Sequence, residues 1–296
     1  MADALVPFVL EGAAVRGACV RMDAAVHDAL AAREYPAPLE RVLGELLAAA
    51  ALLAASLKFR GSLIVQLTGP GPVKLAVIEC DHALSLRATA QWDRDAVSRL
   101  AADASLADLA GDATRARLAI TLDPEDGPLY QGIVALEAGS VATLLEHYLA
   151  SSEQLESRLA LCATDGRVGG VLVQRLPGAR DDDAGAWDEA ARIVGSASAE
   201  DLVAADDPTG VLVALFPTRD LRVFEGRAPR FACRCSNARV AQALRIAGRE
   251  EIEAALAETG EVVVTCEYCG RRYTYTPAQA RSIFEAAAAR RDGAVQ

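Results

Sequence analysis

Two short cysteine pairs near the C-terminus constrain the fold of this 296-residue chain more than any other feature of its sequence. Cys233 and Cys235 form the first pair, and Cys266 and Cys269 follow after thirty intervening residues, directly ahead of Gly270. Each pair can hold an ion from a single turn, and two pairs supply the four thiolates of a closed tetrahedral zinc site. Such a site has no open coordination position for catalysis. The spacing therefore predicts one Zn²⁺ per chain, held in the reduced state by these four residues.

The residues around the pairs predict a small α+β module over 229–296. Ser236 can cap a helix, a second helix follows Gly248, and a strand is expected at 261–265. Thr276 precedes a proline and a capping-box glutamine, which is typical of a further helix start. The module is small for an independent core, and metal binding contributes about 10 to 16 kcal/mol of folding free energy in zinc-finger peptides. We therefore expect loss of zinc to unfold it.

Residues 1–176 predict a mixed α/β domain with a central sheet. A strand-like stretch at 8–19 opens it, and the long apolar run at 46–57 predicts a buried helix within 39–58. Turn signals at 69–72 and at 165–166 separate runs that are typical of strands. The remaining predicted elements are helices at 24–33 and 140–152 and strands at 117–122, 129–135, 157–163 and 167–175.

A change of composition at residue 177 predicts a helical linker over 177–228. Its first 51 residues carry eleven acidic and five basic side chains, including the acidic run at 181–183. Trp187, Ala190 and Val194 recur at helical spacing, so the stripe that they form is expected to pack on the larger domain. Trp187 is more typical of this packing than of an anchor for a partner. Short charged helices are marginal in isolation, which makes the linker a candidate for local unfolding.

Charge and hydropathy exclude several classes of partner. The net charge of −11 repels phosphate backbones and anionic lipid heads, so neither nucleic acid nor a membrane is expected as a partner. The longest apolar run is shorter than the roughly 20 residues of a membrane-spanning helix, and the N-terminus lacks a secretory pattern. We therefore expect a cytoplasmic protein whose seven cysteines are thiols, metal ligands or redox switches.

The remaining chemistry-bearing residues predict no catalytic site. Cys19, Cys80 and Cys162 lie in strand-like apolar sequence, where a free cysteine is typically a small hydrophobic side chain of the core. The three histidines are widely separated and lack metal-binding spacing, and neither a nucleophile elbow nor a phosphate-binding loop is present. The chain is therefore not expected to be an enzyme.

The spacing of the first cysteine pair indicates a redox-sensitive site in addition to a structural metal site. A disulfide between residues two apart bends the backbone away from extended geometry, which makes the bond easier to reduce. It also closes too short a loop to stabilise the chain by entropy. Replacing zinc by local disulfides would therefore destabilise the module, whereas a purely structural zinc is the alternative interpretation.

The sequence resembles the 33 kDa chaperonin family of redox-regulated heat-shock holdases over nearly its whole length. The resemblance rests on FACRCSNARVAQAL and VTCEYCGRRYTY around the cysteines, and on KFRGSLIVQLTGPGPVKLAVIE, YLASSEQLESRLAL and GGVLVQRLPG upstream. It implies an ATP-independent chaperone that is inactive while the four cysteines hold zinc. It also implies that oxidants form Cys233–Cys235 and Cys266–Cys269 disulfides and release the metal.

The same resemblance implies the partners of the protein. These are unfolding client proteins, a second copy of the chain in an oxidised homodimer, and the cellular thiol reductants that restore the inactive state. Unfolding of the zinc module and the linker would expose apolar surface that binds clients and prevents their aggregation.

Two other functions remain as alternatives. A zinc ribbon could bind nucleic acid, but residues 229–296 carry ten basic and eight acidic side chains, which is not a phosphate-binding footprint. A dithiol oxidoreductase could use Cys266 and Cys269, but the pair lacks the βαβ surroundings of a thioredoxin-like motif.

Overall fold

The structure is a computed structural model that describes residues 3–57, 59–136, 139–177 and 184–292. The chain divides into two compact units, Met1–Ala232 and Cys233–Gln296, and each is described separately. The predicted α+β class is confirmed, and the strands of the first unit are divided between two sheets. The acidic run predicted at 181–183 lies outside the described residues.

The first sheet, sheet A, has five antiparallel strands in the order β10-β1-β2-β9-β8. Asp165 and Gly166 form the tight turn between β8 and β9, both with positive φ, as their sequence predicts. The strands of sheet A are β1 (Ala4–Leu10), β2 (Val15–Met22), β8 (Ser157–Thr164), β9 (Arg167–Arg175) and β10 (Leu221–Val223).

The second sheet, sheet B, has six strands in the order β11-β5-β4-β3-β6-β7. All neighbours are antiparallel except β11, which pairs in parallel with β5. The strands of sheet B are β3 (Gly61–Thr68), β4 (Val73–Asp81), β5 (Ser85–Trp92), β6 (Arg117–Pro124), β7 (Tyr130–Ala135) and β11 (Arg230–Phe231).

The second helix of the chain packs against both sheets. Leucine and alanine occupy thirteen of its twenty positions, and every side chain from Leu46 to Ala54 is buried. It confirms the buried helix that the sequence predicts. The helices before the linker are α1 (Ala24–Leu30), α2 (Ala37–Ser56), α3 (Arg94–Ser98), α4 (Leu106–Ala110) and α5 (Val141–Ser152).

Three linker helices cover one face of sheet A, which we call the outer face. They are α6 (Ala184–Gly195), α7 (Ala199–Val203) and α8 (Pro208–Leu215). Phe8 and Val171 point to this face, whereas their neighbours Val20 and Leu172 join the core around α2. The predicted stripe of α6 packs here, with Ala190 and Val194 buried. The layer between sheet A and the linker helices is thus a second core, distinct from the one around α2.

The second unit contains one hairpin and three helices. These are β12 (Val262–Thr265), β13 (Arg272–Tyr275), α9 (Asn237–Ala247), α10 (Arg249–Thr259) and α11 (Pro277–Asp292). The predicted caps are present, since the Ser236 hydroxyl accepts a hydrogen bond from the Arg239 N–H and Thr276 pairs with Gln279. Eight buried side chains among its described residues form a core of its own, from Val240 on α9 to Ile283 on α11.

Two sequence predictions need correction. The stretch predicted as one strand at 8–19 is the hairpin of β1 and β2, because the chain reverses at Gly12, whose φ is +71°. Two strands were not predicted within or beside the linker: β10 pairs with β1, and β11 pairs with β5. Strands of three and two residues are too short to show an alternating pattern.

Candidate metal centre

Two local structures present the four cysteines. Cys233 and Cys235 lie just ahead of the capped start of α9. Cys266 and Cys269 lie on the turn between β12 and β13, where Gly270 has a φ of +70° and its N–H donates to the Cys266 carbonyl oxygen at 2.9 Å. The left-handed conformation at Gly270 lets both thiols of the second pair point to the same side of the turn.

The structure brings the four predicted ligands together. All four Sγ atoms lie within 4.8 Å of one another. Sγ of Cys233 is 3.6 Å from that of Cys266, and Sγ of Cys235 is 3.5 Å from that of Cys269. Four sulfurs at about 2.3 Å from a tetrahedral zinc ion are about 3.8 Å apart, so the observed spacing fits such an ion. The cluster can therefore hold one metal ion.

The thiols differ in their acidity before any metal binds. Burial raises the pKa of Cys269 to about 12 and also raises the pKa of Cys233, although the N–H groups of Arg271 and Cys235 donate to these two sulfurs. Burial acts in the same direction on Cys235, but hydrogen bonds from Tyr273 and the other thiols lower its pKa to about 7. Backbone and hydroxyl donors of this kind stabilise thiolates and orient metal ligands.

Arg271 lies close enough to the sulfurs to offset part of the thiolate charge. The Tyr273 hydroxyl, followed by the charges of Cys235 and Cys269, raises the pKa of the Arg271 guanidinium. Tyr273 was not predicted as part of the centre. Its signal was the alternation of RRYTYT, which places this ring on the buried face of β13.

The candidate ligands are continuous with the core of the second unit. Cys235 and Cys266 pack against the same cluster that contains Val262 and Tyr273. Four bonds to one ion would therefore tie the start of α9 to the β12–β13 hairpin, beside a core of only eight buried side chains among the residues whose burial is described. A metal in this position acts on the stability of the whole unit.

The four-cysteine cluster is the only candidate metal site in the described part of the chain. No second group of three or more histidine, cysteine or acidic side chains comes close enough there to share a metal ion. Cys19, Cys80 and Cys162 are buried, which confirms their predicted place in the core. Within the same residues, no helix has both the length and the apolar character needed to cross a lipid bilayer.

Comparisons with known proteins assign the family. The family model described as Hsp33 protein matches residues 3–276. The 33 kDa chaperonin of Chromobacterium violaceum is 41% identical over 96% of this chain and 94% of its own length. The 33 kDa chaperonin of Shewanella woodyi is 39% identical over 95% of this chain and 96% of its own length.

A solved structure shares the fold. The crystal structure of the 33 kDa chaperonin (heat shock protein 33 homolog) from Thermotoga maritima matches with a TM-score of 0.79. It is 21% identical in sequence and covers 96% of this chain and 99% of its own. Together with the family match and the identities above, this shows that the chain belongs to the Hsp33 family of heat-shock chaperones.

Proposed function

We propose that the protein is a redox-regulated, ATP-independent holdase chaperone. The observation that carries the proposal is the cluster of four thiols within 4.8 Å, set into the small core of the second unit. In the reduced state Cys233, Cys235, Cys266 and Cys269 hold one Zn²⁺, and the chaperone is inactive. The ion, when bound, supplies four Zn–S bonds in place of a larger hydrophobic core.

Oxidation removes the ligands of the ion. Cys233 forms a disulfide with Cys235, and Cys266 forms one with Cys269. Formation of each S–S bond transfers two electrons from a pair of thiols to an oxidant such as a peroxide. The O–O bond of the peroxide breaks as it is reduced to water. Disulfide sulfur is a poor metal ligand, so the four oxidised cysteines would no longer hold the ion. Neither disulfide joins α9 to the β12–β13 hairpin, and the second unit loses the link that the metal provided.

The linker helices are the part of the first unit that we propose to open after oxidation. We propose a division of the chain at 1–176, 177–228 and 229–296, in which the linker is held on sheet A by its own packing. That packing is modest, because α7 has five residues and the linker buries few large side chains apart from Leu202, Leu212 and Phe216. Short helices of this kind open locally at low cost.

Release of the linker helices would expose the outer face of sheet A. Most of the side chains that it carries are apolar and buried in the closed state. They include Val6, Phe8, Leu10, Val15, Ala160, Val171 and Val173. A contiguous apolar surface of this kind binds the hydrophobic segments of unfolding proteins and keeps them from aggregating. Unfolding client proteins are therefore the proposed partners.

Three further features belong to the proposal through family membership. The oxidised form is a homodimer, cellular thiol reductants return it to the zinc-bound state, and the protein acts in the cytoplasm under oxidative stress. Sedimentation of the reduced and peroxide-treated protein would test the dimer. A single monomeric species in both states would contradict it.

The central test compares the reduced, zinc-loaded protein with the peroxide-treated protein. Light scattering from a thermally unfolding client enzyme should be suppressed only after oxidation. Zinc content, free thiols and circular dichroism should show loss of one zinc, four thiols and helical signal together. As a control, a variant with serine at all four positions should be active without peroxide. Equal suppression by the reduced and oxidised protein, or zinc-free reduced protein, would overturn the proposal.

A further inference from the structure

Two buried cysteines outside the metal centre share the outer face of sheet A with a buried arginine. Cys19 and Arg21 are two residues apart on β2, and Arg21 lies opposite Gly169 of β9. Gly169 in turn lies opposite Cys162 of β8. Directly opposed residues in antiparallel strands point to the same face, so all three side chains lie under the linker helices. Cys19 and Cys162 belong to the core that the linker helices complete.

Arg21 is a charged side chain buried in this otherwise largely apolar layer. Only 2% of its surface is exposed, its Nη1 donates to the Val168 carbonyl oxygen at 3.0 Å, and its Nη2 lies 3.4 Å from the Asp23 carboxylate. Nε of Arg21 has no hydrogen-bond partner within the described ranges. A buried guanidinium with an unused donor, beside two thiols, is suited to stabilise a thiolate once water can enter.

The linker helices keep both thiols inert. Burial raises the pKa of Cys162 to about 11 and also raises the pKa of Cys19, while the nearby Arg21 charge acts in the opposite direction on both. The other charges acting on these thiols are Asp207 for Cys19 and Glu45 and Arg167 for Cys162. Opening of the linker helices would remove the burial that raises both pKa values. The Arg21 guanidinium, which lowers them, would remain on the sheet.

The two thiols do not pair with each other inside the folded sheet. Strand β9 lies between β2 and β8, and neighbouring strands are about 4.8 Å apart, so the Cα atoms of Cys19 and Cys162 are separated by roughly 10 Å or more. Disulfides require Cα atoms closer than about 7 Å. Each thiol is therefore available to a separate small reagent.

Cys162 is buried beside the point where the linker packs most closely on sheet A. Helix α7 packs on β8 and β9 at this point. Its backbone lies so close to Gly169 that a Cβ there would be 2.5 Å from the Leu202 carbonyl oxygen. A group attached to the neighbouring Cys162 would have to displace α7.

We propose that Cys162 and Cys19, assisted by Arg21, form a second thiol site that small-molecule disulfides modify only when the linker helices are open. This inference rests on the linker release in the proposed function. The thiolate attacks one sulfur of the small disulfide, the reagent's S–S bond breaks as the mixed disulfide forms, and the departing thiolate takes up the proton that the cysteine lost. The adduct at Cys162 blocks the return of α7 and prolongs the open state until a thiol removes it.

The first test opens the linker without oxidising the metal centre. In reduced, zinc-loaded Gly169→Ala, the added methyl group should lift α7 from the sheet. With glutathione disulfide as the probe and peptide mass mapping as the readout, we expect Cys162 to react at least tenfold faster than in the wild type. A second variant, Ser198→Ala, removes the cap of α7 and should raise the rate roughly fivefold.

Cys80 is the matched control for this test. It is as buried as Cys19 but lies in the core around α2, away from the linker helices. Reaction of Cys162 with Cys80 still protected supports the proposal. If trypsin cleaves the linker at Arg192 in both variants while Cys162 stays unmodified, the proposal is wrong. Equal labelling of Cys80 and Cys162 also contradicts it, since the thiols then react only through global unfolding.

The second test separates this inference from the proposed function. Peroxide-treated wild type is exposed to N-ethylmaleimide, then reduced and given zinc, with Cys19→Ser/Cys162→Ser as the control. The control should regain a trypsin-resistant linker, whereas the alkylated wild type should stay cleavable. If peroxide never opens the linker but Gly169→Ala still exposes Cys162, the proposed function fails and the thiol site stands. If peroxide opens the linker and Cys162 remains unlabelled, the thiol site fails and the proposed function stands.

The role of Arg21 has its own readout. In the Gly169→Ala background, Arg21→Met should slow the reaction of Cys162 with glutathione disulfide several-fold, and Arg21→Lys should restore most of the rate. Equal rates in all three proteins would remove Arg21 from the site.

Discussion

The packing of the linker predicts that a substitution which loosens it makes the chaperone active without oxidation. Leu212 of α8 is fully buried in the layer between the linker helices and sheet A, whereas its neighbour Val213 is 59% exposed. Truncation of a buried leucine to alanine costs about 2 to 5 kcal/mol. Since about 1.4 kcal/mol changes an equilibrium tenfold, Leu212→Ala should raise the open population of the linker by roughly 30-fold to several thousand-fold.

The assay is aggregation of a thermally unfolding client in the presence of the reduced, zinc-loaded variant, with tryptic cleavage of the linker measured in parallel. Leu212→Ala should suppress light scattering while it retains its zinc. Val213→Ala is the matched control on the same helix and should behave as the wild type, because surface truncations change stability by about 0.5 kcal/mol or less. A cleavable linker in Leu212→Ala without any gain in suppression would refute the idea that linker cover controls activity.

Three further predictions address other parts of the chain. Chelation of zinc from the reduced protein should abolish the helical circular dichroism of α9 to α11 and leave the amide protection of α2 unchanged; unchanged dichroism would contradict the metal's structural role. Asp207→Ala removes the acceptor for the Thr209 and Gly210 N–H groups, a loss of about 1 kcal/mol that should speed tryptic cleavage of the linker, and an unaltered rate would count against it. Burial raises the pKa of Glu45, so wild-type stability falls as pH rises through that raised value; Glu45→Gln should raise the Tm at pH 7, with an advantage that disappears below the ordinary value of 4.5.

Features that depend on local sequence could be predicted. The spacing of Cys233, Cys235, Cys266 and Cys269 predicted a shared ion, and the four thiols lie together. The apolar run of α2 and the turn at 165–166 were equally readable, because a buried helix and a tight turn each need particular side chains at fixed positions.

Features that depend on strand order could not be predicted. From the sequence alone, Gly169 is a residue that weakens a strand. Only the packing of α7 shows why a side chain is excluded there. The proximity of Cys162 to Arg21 requires β9 to lie between β8 and β2, an arrangement with no local signal. Tyr273 was missed for a related reason, since its position beside Cys235 follows from the fold of the hairpin.

The two separate apolar layers of the first unit have a consequence for its cooperativity. Among the described residues, no side chain of α6, α7 or α8 belongs to the core around α2, which contains most of the large buried side chains. Opening of the linker, as proposed above, would therefore leave the core around α2 folded. A chain built in this way could lose and regain the linker layer without passing through the fully denatured state.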